Sequence, residues 1–344
     1  MMRLACLIGA SCIGLLAGAS PPAVTQQNFY AGKQITLIVS SAPGGGYDAV
    51  TRTVSRHLGK HLPGSPTFVV QNMPGAGGIV AANHLYNITT KDGLTLAQLQ
   101  STVPFEPMYG NKQTRYEPPR LNWLGSPSKE TAMLIVWNTS PIRTLEDASQ
   151  REIILGATGA SSTPAFYARL LADIFKLKVK LISGYPGQNE QFFAMEKGEN
   201  DGGPSTFLSS LKTMRPQWIT ENKVRLLLQY ALEPSPELKD VPFALDLLKD
   251  RPDDLKLMEI ASAPMALGRP FAAPPDIPAD RLALLRKAFS DTFMDPAFLA
   301  DCAKQGLECD APSSGEQIQN IVAAAYKASP DVIARLQKIY ASRL

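Results

Sequence analysis

The 344-residue sequence has little net charge, few histidines and few cysteines. Its formal net charge is +3, and its lysines and arginines are scattered, which argues against a nucleic-acid-binding surface or a polybasic membrane patch. Two of the three histidines, His57 and His61, stand one helical turn apart, but basic neighbours and the absence of an acidic partner favour a solvated helix face over a metal site. The sequence therefore predicts neither a metal nor a cofactor.

The sequence motifs of common enzyme classes are absent as well. No Gly-Lys-Ser/Thr follows a glycine loop, and no Gly-x-Ser-x-Gly elbow occurs. The glycine run from Gly75 to Gly78 departs from the dinucleotide-binding fingerprint at its third small position. We therefore expect a protein that is not an enzyme, although residue spacing alone leaves a hydrolase with a pair of carboxylates open.

Residues 1–19 differ from the rest of the chain. Arg3 precedes an apolar segment, Leu4 to Leu16, and the small-x-small triplet Ala17 to Ala19 follows it. This pattern is typical of a secretory signal peptide and is too short to span a membrane. No later stretch is apolar enough to span one. We expect an exported, soluble protein of the periplasm.

Two cysteines, Cys302 and Cys309, remain once the signal peptide is removed. In an oxidising compartment an even number of cysteines is typical of a disulfide. Two buried thiols are an equally good interpretation, because spacing along the chain does not test disulfide geometry.

One stretch, Ile35 to Asp48, organises the first half of the chain. It begins with a short apolar run that is typical of a strand buried on both faces. Pro43 ends the strand, and glycines 44–46 allow backbone angles that other residues avoid. A helix then begins near Tyr47. Because this turn presents free N–H groups and the positive end of a helix dipole, it predicts an anion site without a cationic side chain, and we expect a carboxylate there.

A second glycine turn, Asn72 to Gly78, follows the predicted strand Thr67 to Gln71 and precedes a small-residue helix, Ile79 to Tyr86. Both turns would lie at the carboxyl edge of one sheet, outside which open α/β sheets bind their ligands. The pair of turns favours a ligand site over two tight connections without a ligand.

The rest of the chain alternates between predicted strands and helices, which indicates parallel sheets covered by helices. We expect a turn at Gly198 to Gly203, a strand at Met265 to Gly268, and an extended approach from Phe271 to Pro278 to the helix that follows.

The length of the chain suits two domains. A helical layer at the C-terminus needs a sheet to cover, so we expect the first domain to be discontinuous. The predicted domain 1 comprises residues 28–130 and 251–344, and domain 2 comprises residues 131–250.

The chain resembles the periplasmic substrate-binding receptors of tripartite tricarboxylate transporters over nearly all of its predicted mature length. The matching motifs stand in the family's order and at plausible spacing. They are Ala42 to Asp48, Asn72 to Gly78, Lys91 to Leu96, Thr158 to Pro164, Gly184 to Gly187, Gly198 to Asp201, Asp240 to Pro242 and Ala273 to Pro278.

This resemblance implies a type II periplasmic-binding-protein fold, with two α/β domains joined by hinge strands around a ligand cleft. It also implies a function: capture of a small organic carboxylate and delivery to the transporter's membrane subunits. The ligand-binding residues that it implies are Gly44, Gly45, Gly46, Tyr47, Asp48, Gly75, Ala76, Gly77, Gly78, Thr158, Gly159, Ser161, Ser162, Thr163, Tyr185, Gly187 and Asp201.

Several of these residues also have a purely structural interpretation. Asp48 suits the first turn of a helix, and a carboxylate facing an anion would repel it. The hydroxyl residues at 161–163 suit a helix cap before Pro164, and Asp201 is a turn former that only the resemblance places in the cleft. Tyr47 stands where the family usually has a small hydroxyl residue, so it either replaces that donor or fills the cleft.

We expect a monomer whose partners are a small carboxylate and, transiently, membrane transporter subunits, with no nucleic acid. A hydrolase and a receptor for a membrane sensor kinase are the alternatives. The sequence does not identify the acid, because no arginine or lysine is firmly placed in the cleft.

Overall fold

The computed structural model describes residues 29–159, 162–342 and 344. The predicted signal peptide, residues 1–19, and Ser161 lie outside the described residues. No helix within those described ranges is long and apolar enough to cross a membrane.

Eleven strands form two separate sheets in the described part of the chain. The strands are β1 (Gln34–Val39), β2 (Thr67–Asn72), β3 (Thr95–Gln98), β4 (Asn122–Ser126), β5 (Ala132–Trp137), β6 (Glu152–Ala157), β7 (Lys178–Ser183), β8 (Gly202–Phe207), β9 (Val224–Tyr230), β10 (Phe271–Ala273) and β11 (Ser313–Ser314). One sheet has the order β11-β4-β10-β3-β1-β2, and the other β7-β6-β8-β5-β9.

Twelve α-helices cover these sheets in the same described ranges. They are α1 (Gly46–Leu58), α2 (Ile79–Asn87), α3 (Leu145–Gln150), α4 (Thr163–Phe175), α5 (Gln188–Glu196), α6 (Leu208–Met214), α7 (Pro216–Thr220), α8 (Pro252–Leu267), α9 (Ala279–Phe293), α10 (Pro296–Lys304), α11 (Gly315–Ala325) and α12 (Pro330–Ala341). We call the six-stranded sheet with α1, α2, α9, α10 and α11 the first lobe, and the five-stranded sheet with α3 to α7 the second lobe.

Strand β1, which lies between β3 and the edge strand β2, behaves as its apolar sequence predicts. Ile35, Leu37, Ile38 and Val39 are all buried, because helices cover both faces of the sheet. β1 pairs in parallel with β2 and with β3, so the carboxyl ends of the three strands meet at one edge. Both glycine turns begin at that edge.

Two crossover segments join the lobes. One runs from β4 to β5, and the other runs from α8 to β10. They pack tightly where Gly268 passes Ser128: a Cβ on Gly268 would lie 2.0 Å from the Ser128 carbonyl oxygen, and its φ is +54°. Only glycine fits this crossing, because both the space and the backbone angle exclude a side chain.

One sequence-based assignment is wrong, and two others differ from the structure in their bounds. The predicted turn at 198–203 ends in β8, which is central in the second sheet. The predicted strand from Met265 to Gly268 is instead the last turn of α8 and its C-cap, since the helix continues through Pro264. The extended approach after it contains β10, which pairs with β3 and β4.

Helices α8 and α12 contact both lobes. The Tyr167 hydroxyl of α4 donates to the Ala261 carbonyl of α8, and α12 packs on α4 as well as on α8. Arg335 of α12 pairs with Asp173 of α4 and with Asp254 of α8. One hydrophobic core therefore runs through both lobes, and the predicted domain boundaries stay a proposal.

A disulfide joins helix α10 to the segment that follows it, and two histidines contact carboxylates of α10 and its N-cap. Cys302 and Cys309 form the disulfide, one of the two alternatives that the sequence left open, with 6.3 Å between their Cα atoms. His57 and His61 do not lie on a solvated helix face. Their Nε2 atoms lie 3.0 Å and 2.9 Å from carboxylate oxygens of Asp301 and Asp295, respectively.

Candidate ligand-binding cleft

A cavity of about 260 Å³ lies between the lobes at the carboxyl edges of both sheets. It is smaller than the ~300–1,000 Å³ that is usual for drug-sized ligands. None of the described residues that line it is charged. They are Tyr47, Gln100, Ser101, Thr102, Thr158, Thr163, Pro164, Gln188, Gln191, Pro204, Ser205, Thr206 and Phe207.

Three helix N-termini converge on this cavity. Tyr47 is the second residue of α1, Thr163 the first of α4 and Gln188 the first of α5, and all three line the cavity. Within the described residues, the backbone amides of these three residues have no hydrogen-bond partner. Unpaired amides and aligned dipoles at three helix starts create a positive potential without a cationic side chain.

The first glycine loop is held in shape by Asp48. The Gly44 amide donates to Asp48 Oδ2 at 2.9 Å, and Arg52 and Asn72 donate to the same carboxylate at 2.9–3.0 Å. Although burial opposes them, these donors hold the pKa of Asp48 below its usual range. The Gly44 amide is therefore not available to a ligand, and Asp48 stabilises the loop, as its structural interpretation predicts.

Tyr47 fills one side of the cavity. Its hydroxyl donates to the Gly268 carbonyl at 3.4 Å and accepts from the Ser101 amide at 3.3 Å. Both distances are near the upper limit for a hydrogen bond. The ring therefore connects the first glycine loop to the end of β3 and to the interlobe crossover.

The second glycine loop lies beside the first at the sheet edge but does not line the cavity. Gly75, Gly77 and Gly78 all have positive φ, and Gly78 is buried against Ser40 and Val103. Gly75 to Gly77, Ala76 included, are exposed at the rim. The structure thus places both loops at one edge, as predicted, and only the first contributes to the cavity wall.

The loop between β6 and α4 forms the facing wall of the cavity. Thr158 and Thr163 line the cavity. Ser162 caps α4: its hydroxyl oxygen accepts from the Ala165 amide at 3.4 Å and from the Gly159 amide at 3.3 Å. Gly159 has open space around it, so the main chain there is accessible.

Of the remaining predicted residues, Gly187 caps α5 next to Gln188, but Tyr185 and Asp201 do not line the cavity. Tyr185 packs beneath β6, where its hydroxyl accepts from Asn200 at 3.1 Å. Asp201 accepts from the Ile154 amide and from Ser140, both at 2.8 Å. Ile154 precedes Thr158 by four residues, which is about 13 Å along a strand. Asp201 thus holds neighbouring segments of the second lobe together, and we leave it out of the proposed site.

The sequence analysis missed part of the cavity wall. Gln100, Gln188, Gln191 and the segment Ser205 to Phe207 line it, but amide and hydroxyl side chains in loops carry no distinctive local pattern. The position of Ser205 to Phe207 depends on the pairing of β8 with its neighbours.

It also missed Arg269, which lies in the crossover behind Tyr47. Its Cζ is 5.9 Å from the Tyr47 ring centroid, and Nη2 is 3.7 Å from Glu130 Oε1. Burial raises the pKa of Glu130, while Arg269 and the Ser209 hydroxyl oppose that rise. Arg269 does not line the cavity.

Comparisons with known proteins agree with this architecture. A family model described as tripartite tricarboxylate transporter family receptor matches residues 50–337, a range that begins just after the first glycine loop. The protein BugT from Bordetella pertussis (strain Tohama I) is 35% identical over 104 residues, which are 30% of this chain and 30% of that protein.

Two solved structures share the fold. A TctC solute-binding protein from Polaromonas is 19% identical with a TM-score of 0.68, covering 90% of this chain and 98% of that one. MatC from Rhodopseudomonas palustris, solved with bound malate, is 18% identical with a TM-score of 0.60, covering 90% and 99%. At such identities the likeness shows a shared two-domain periplasmic-binding-protein fold, and it confirms the predicted fold class.

Proposed function

Because the chain belongs to the tripartite tricarboxylate transporter receptor family, we propose that it binds a small organic carboxylate between its lobes and delivers it to a membrane transporter of that kind. The bound malate of MatC, a structure of the same fold, supports this class of ligand. The proposed place of action is the periplasm, and the proposed working form is a monomer.

One observation carries this proposal: an uncharged cavity at which three helix N-termini meet. A carboxylate there would accept hydrogen bonds from free amides and from the hydroxyls of Thr158 and Thr163. Each helix end favours an anion by about 0.3–1 kcal/mol, and each hydrogen bond to a charged group contributes about 1.5–3 kcal/mol.

The lobes contribute complementary parts of the site. Helix α1 belongs to the first lobe, whereas α4 and α5 belong to the second, so the anion's hydrogen bonds are complete only when the lobes are close together. Closure would also exclude water and strengthen those bonds. Ligand binding and lobe closure are therefore coupled in this proposal.

A hydrolase with a pair of carboxylates finds no support in the cavity. Neither an aspartate nor a glutamate is among its described lining residues, so the two carboxylates that such chemistry needs are missing there.

Isothermal titration against acetate, pyruvate, succinate, malate and adipate tests the proposal, with product analysis of the same mixtures. We expect saturable binding of at least one acid, no turnover, and competition by related acids. Absence of binding to every acid by a folded protein, or consumption of any of them, would contradict the proposal. Uptake of the bound acid by cells with and without the receptor tests delivery.

A further inference from the structure

Tyr47 lies next to both the cavity and the partly buried guanidinium of Arg269. The ring lines the cavity, whereas the guanidinium of Arg269, whose Cζ lies 5.9 Å from the ring centroid, does not. A Cβ built on the neighbouring Gly46 would lie 3.2 Å from Arg269 Nη2, so the guanidinium also sits against the start of α1. The tyrosine ring thus contacts the cavity on one side and lies near this charge as well.

Arg269 has donor capacity that the described residues do not use. Its side chain is 17% exposed, and the buried Nη1 has no hydrogen-bond partner. The facing acid is Glu130, and the 3.7 Å between Nη2 and Glu130 Oε1 exceeds a hydrogen-bond length. Glu130 Oε2 is already bonded to the Ser209 hydroxyl at 2.7 Å. A guanidinium with unused donors is well suited to a second carboxylate.

We propose that Tyr47 selects ligands by length: its ring ends the cavity before Arg269, so the receptor favours short acids over long dicarboxylates. This inference rests on the proposed function. Shortening the side chain would extend the cavity toward the guanidinium, which would then bind the far carboxylate of a longer acid. Tyr47 is thus a specificity-determining residue, and Arg269 is the group that it hides.

The geometry makes this substitution tolerable. The two hydrogen bonds of the Tyr47 hydroxyl, at 3.4 Å and 3.3 Å, are long and therefore weak. Gly268 also packs against the Ser128 backbone, and two residues before Ser101 the Leu99 amide donates to the Pro270 carbonyl at 3.0 Å. We expect Tyr47→Ser to fold, with the ring's volume added to the cavity.

Isothermal titration with propionate, succinate and adipate tests the proposal on the full mature chain. The wild type should prefer succinate to adipate. Tyr47→Ser should raise the affinity for adipate relative to succinate by about tenfold or more, the effect of one additional charge-assisted hydrogen bond. Tyr47→Phe keeps the ring and should keep the wild-type order.

Removing the Arg269 guanidinium tests whether it causes the gain in adipate affinity. In the Tyr47→Ser background, the added pair Arg269→Met with Glu130→Gln removes both charges without leaving a buried acid unpaired, and the adipate gain should disappear. If that variant does not fold, Arg269→Lys keeps the charge without the planar fork and should reduce the gain.

Each other outcome overturns a defined part of the inference. If Tyr47→Ser weakens all three acids equally, Tyr47 is a ligand contact and does not select by length. If the adipate gain survives without Arg269, the guanidinium does not hold the far carboxylate. If the wild type binds no carboxylate at all, the proposed function itself fails, a result distinct from both of these.

Discussion

Placing a negative charge at the start of α4 should separate ligand binding from stability. Thr163 is the first residue of α4, lines the cavity and follows the Ser162 cap. In Thr163→Asp the new carboxylate would interact favourably with the helix dipole, by about 0.3–1 kcal/mol. The same charge would face a bound carboxylate and repel it, so stability and affinity should change in opposite directions.

The size of the repulsion follows from Coulomb's law. Two unit charges about 5 Å apart interact by roughly 3 kcal/mol at an effective dielectric constant of about 20. That free energy corresponds to a loss of about two orders of magnitude in affinity. Added salt should restore only part of it, because the two charges lie closer together than the Debye length of about 8–10 Å at ordinary ionic strength.

The matched control is Thr163→Asn, which has nearly the shape of the aspartate but no charge. Titration calorimetry with the best acid of the panel measures affinity, and thermal unfolding without ligand measures stability. We expect the aspartate variant to bind about a hundredfold more weakly than the asparagine variant and to be at least as stable. Equal affinities of the two variants would refute the anion site at this helix end.

Three further predictions concern the first loop, the ion pairs of α10 and the disulfide. Gly45→Val should fold, because a Cβ at this position would meet only the Ala42 carbonyl oxygen, at 4.0 Å. It should lose ligand binding, because the side chain would block a ligand's access to the main chain. Asp295→Asn should lose part of the acid dependence of stability. Lys60, the Ala297 amide and His61 hold the pKa of Asp295 far below its usual range. The stabilisation that Asp295 provides is therefore present above about pH 4 and is lost as the pH falls through the pKa of the folded state. Replacing Cys302 and Cys309 by serine should lower the free energy of unfolding by about 2–3 kcal/mol, since the closed loop is short.

These three predictions need their own measurements and controls. For the loop variant, titration and thermal unfolding are compared with Gly45→Ala, and binding at wild-type strength would remove the first loop from the site. For Asp295→Asn, which keeps a helix-capping side chain, unfolding is followed from pH 2 to 7, and an unchanged profile would contradict the assigned cause. For the serine pair, urea unfolding with and without reductant should show that only the wild type responds to reduction.

The fold could be predicted wherever local pattern and tertiary environment agree. The apolar run of β1 and the glycine turn before α1 needed only periodicity and turn chemistry. In each case the residues carry the signal for their own structure.

Prediction failed where the tertiary environment overrides the local signal. β8 contains Gly202, Gly203 and Pro204, which read as a turn. The glycines are there because β5 passes very close: a Cβ on Gly202 would lie 1.9 Å from the Ile135 carbonyl oxygen. Pro264 is typical of a helix end, but the part of α8 around it, from Leu257 to Leu267, is buried on almost all sides, which keeps the helix intact and leaves no periodicity to detect.

The sequence predicted the type of site but only some of the residues that line it. Glycine turns predicted where an anion would meet free amides, and Tyr47, Thr158 and Thr163 do line the cavity. Asp201 was assigned to the cleft from a motif match alone, and it does not line the cavity. The position of Arg269 next to Tyr47 could not be predicted, because it depends on how two crossover segments that are distant in the sequence meet.

The absence of charged residues from the described cavity lining also affects how the ligand is released. The attraction between an anion and a helix terminus fades within about one turn of the helix, whereas the attraction between full charges reaches much further. When α4 and α5 move away with the second lobe, most of the attraction between the acid and the helix termini is lost within a few ångströms. No ion pair with a lining residue has to be broken. Such a receptor can bind its ligand tightly when the lobes are closed and still release it after a small opening movement.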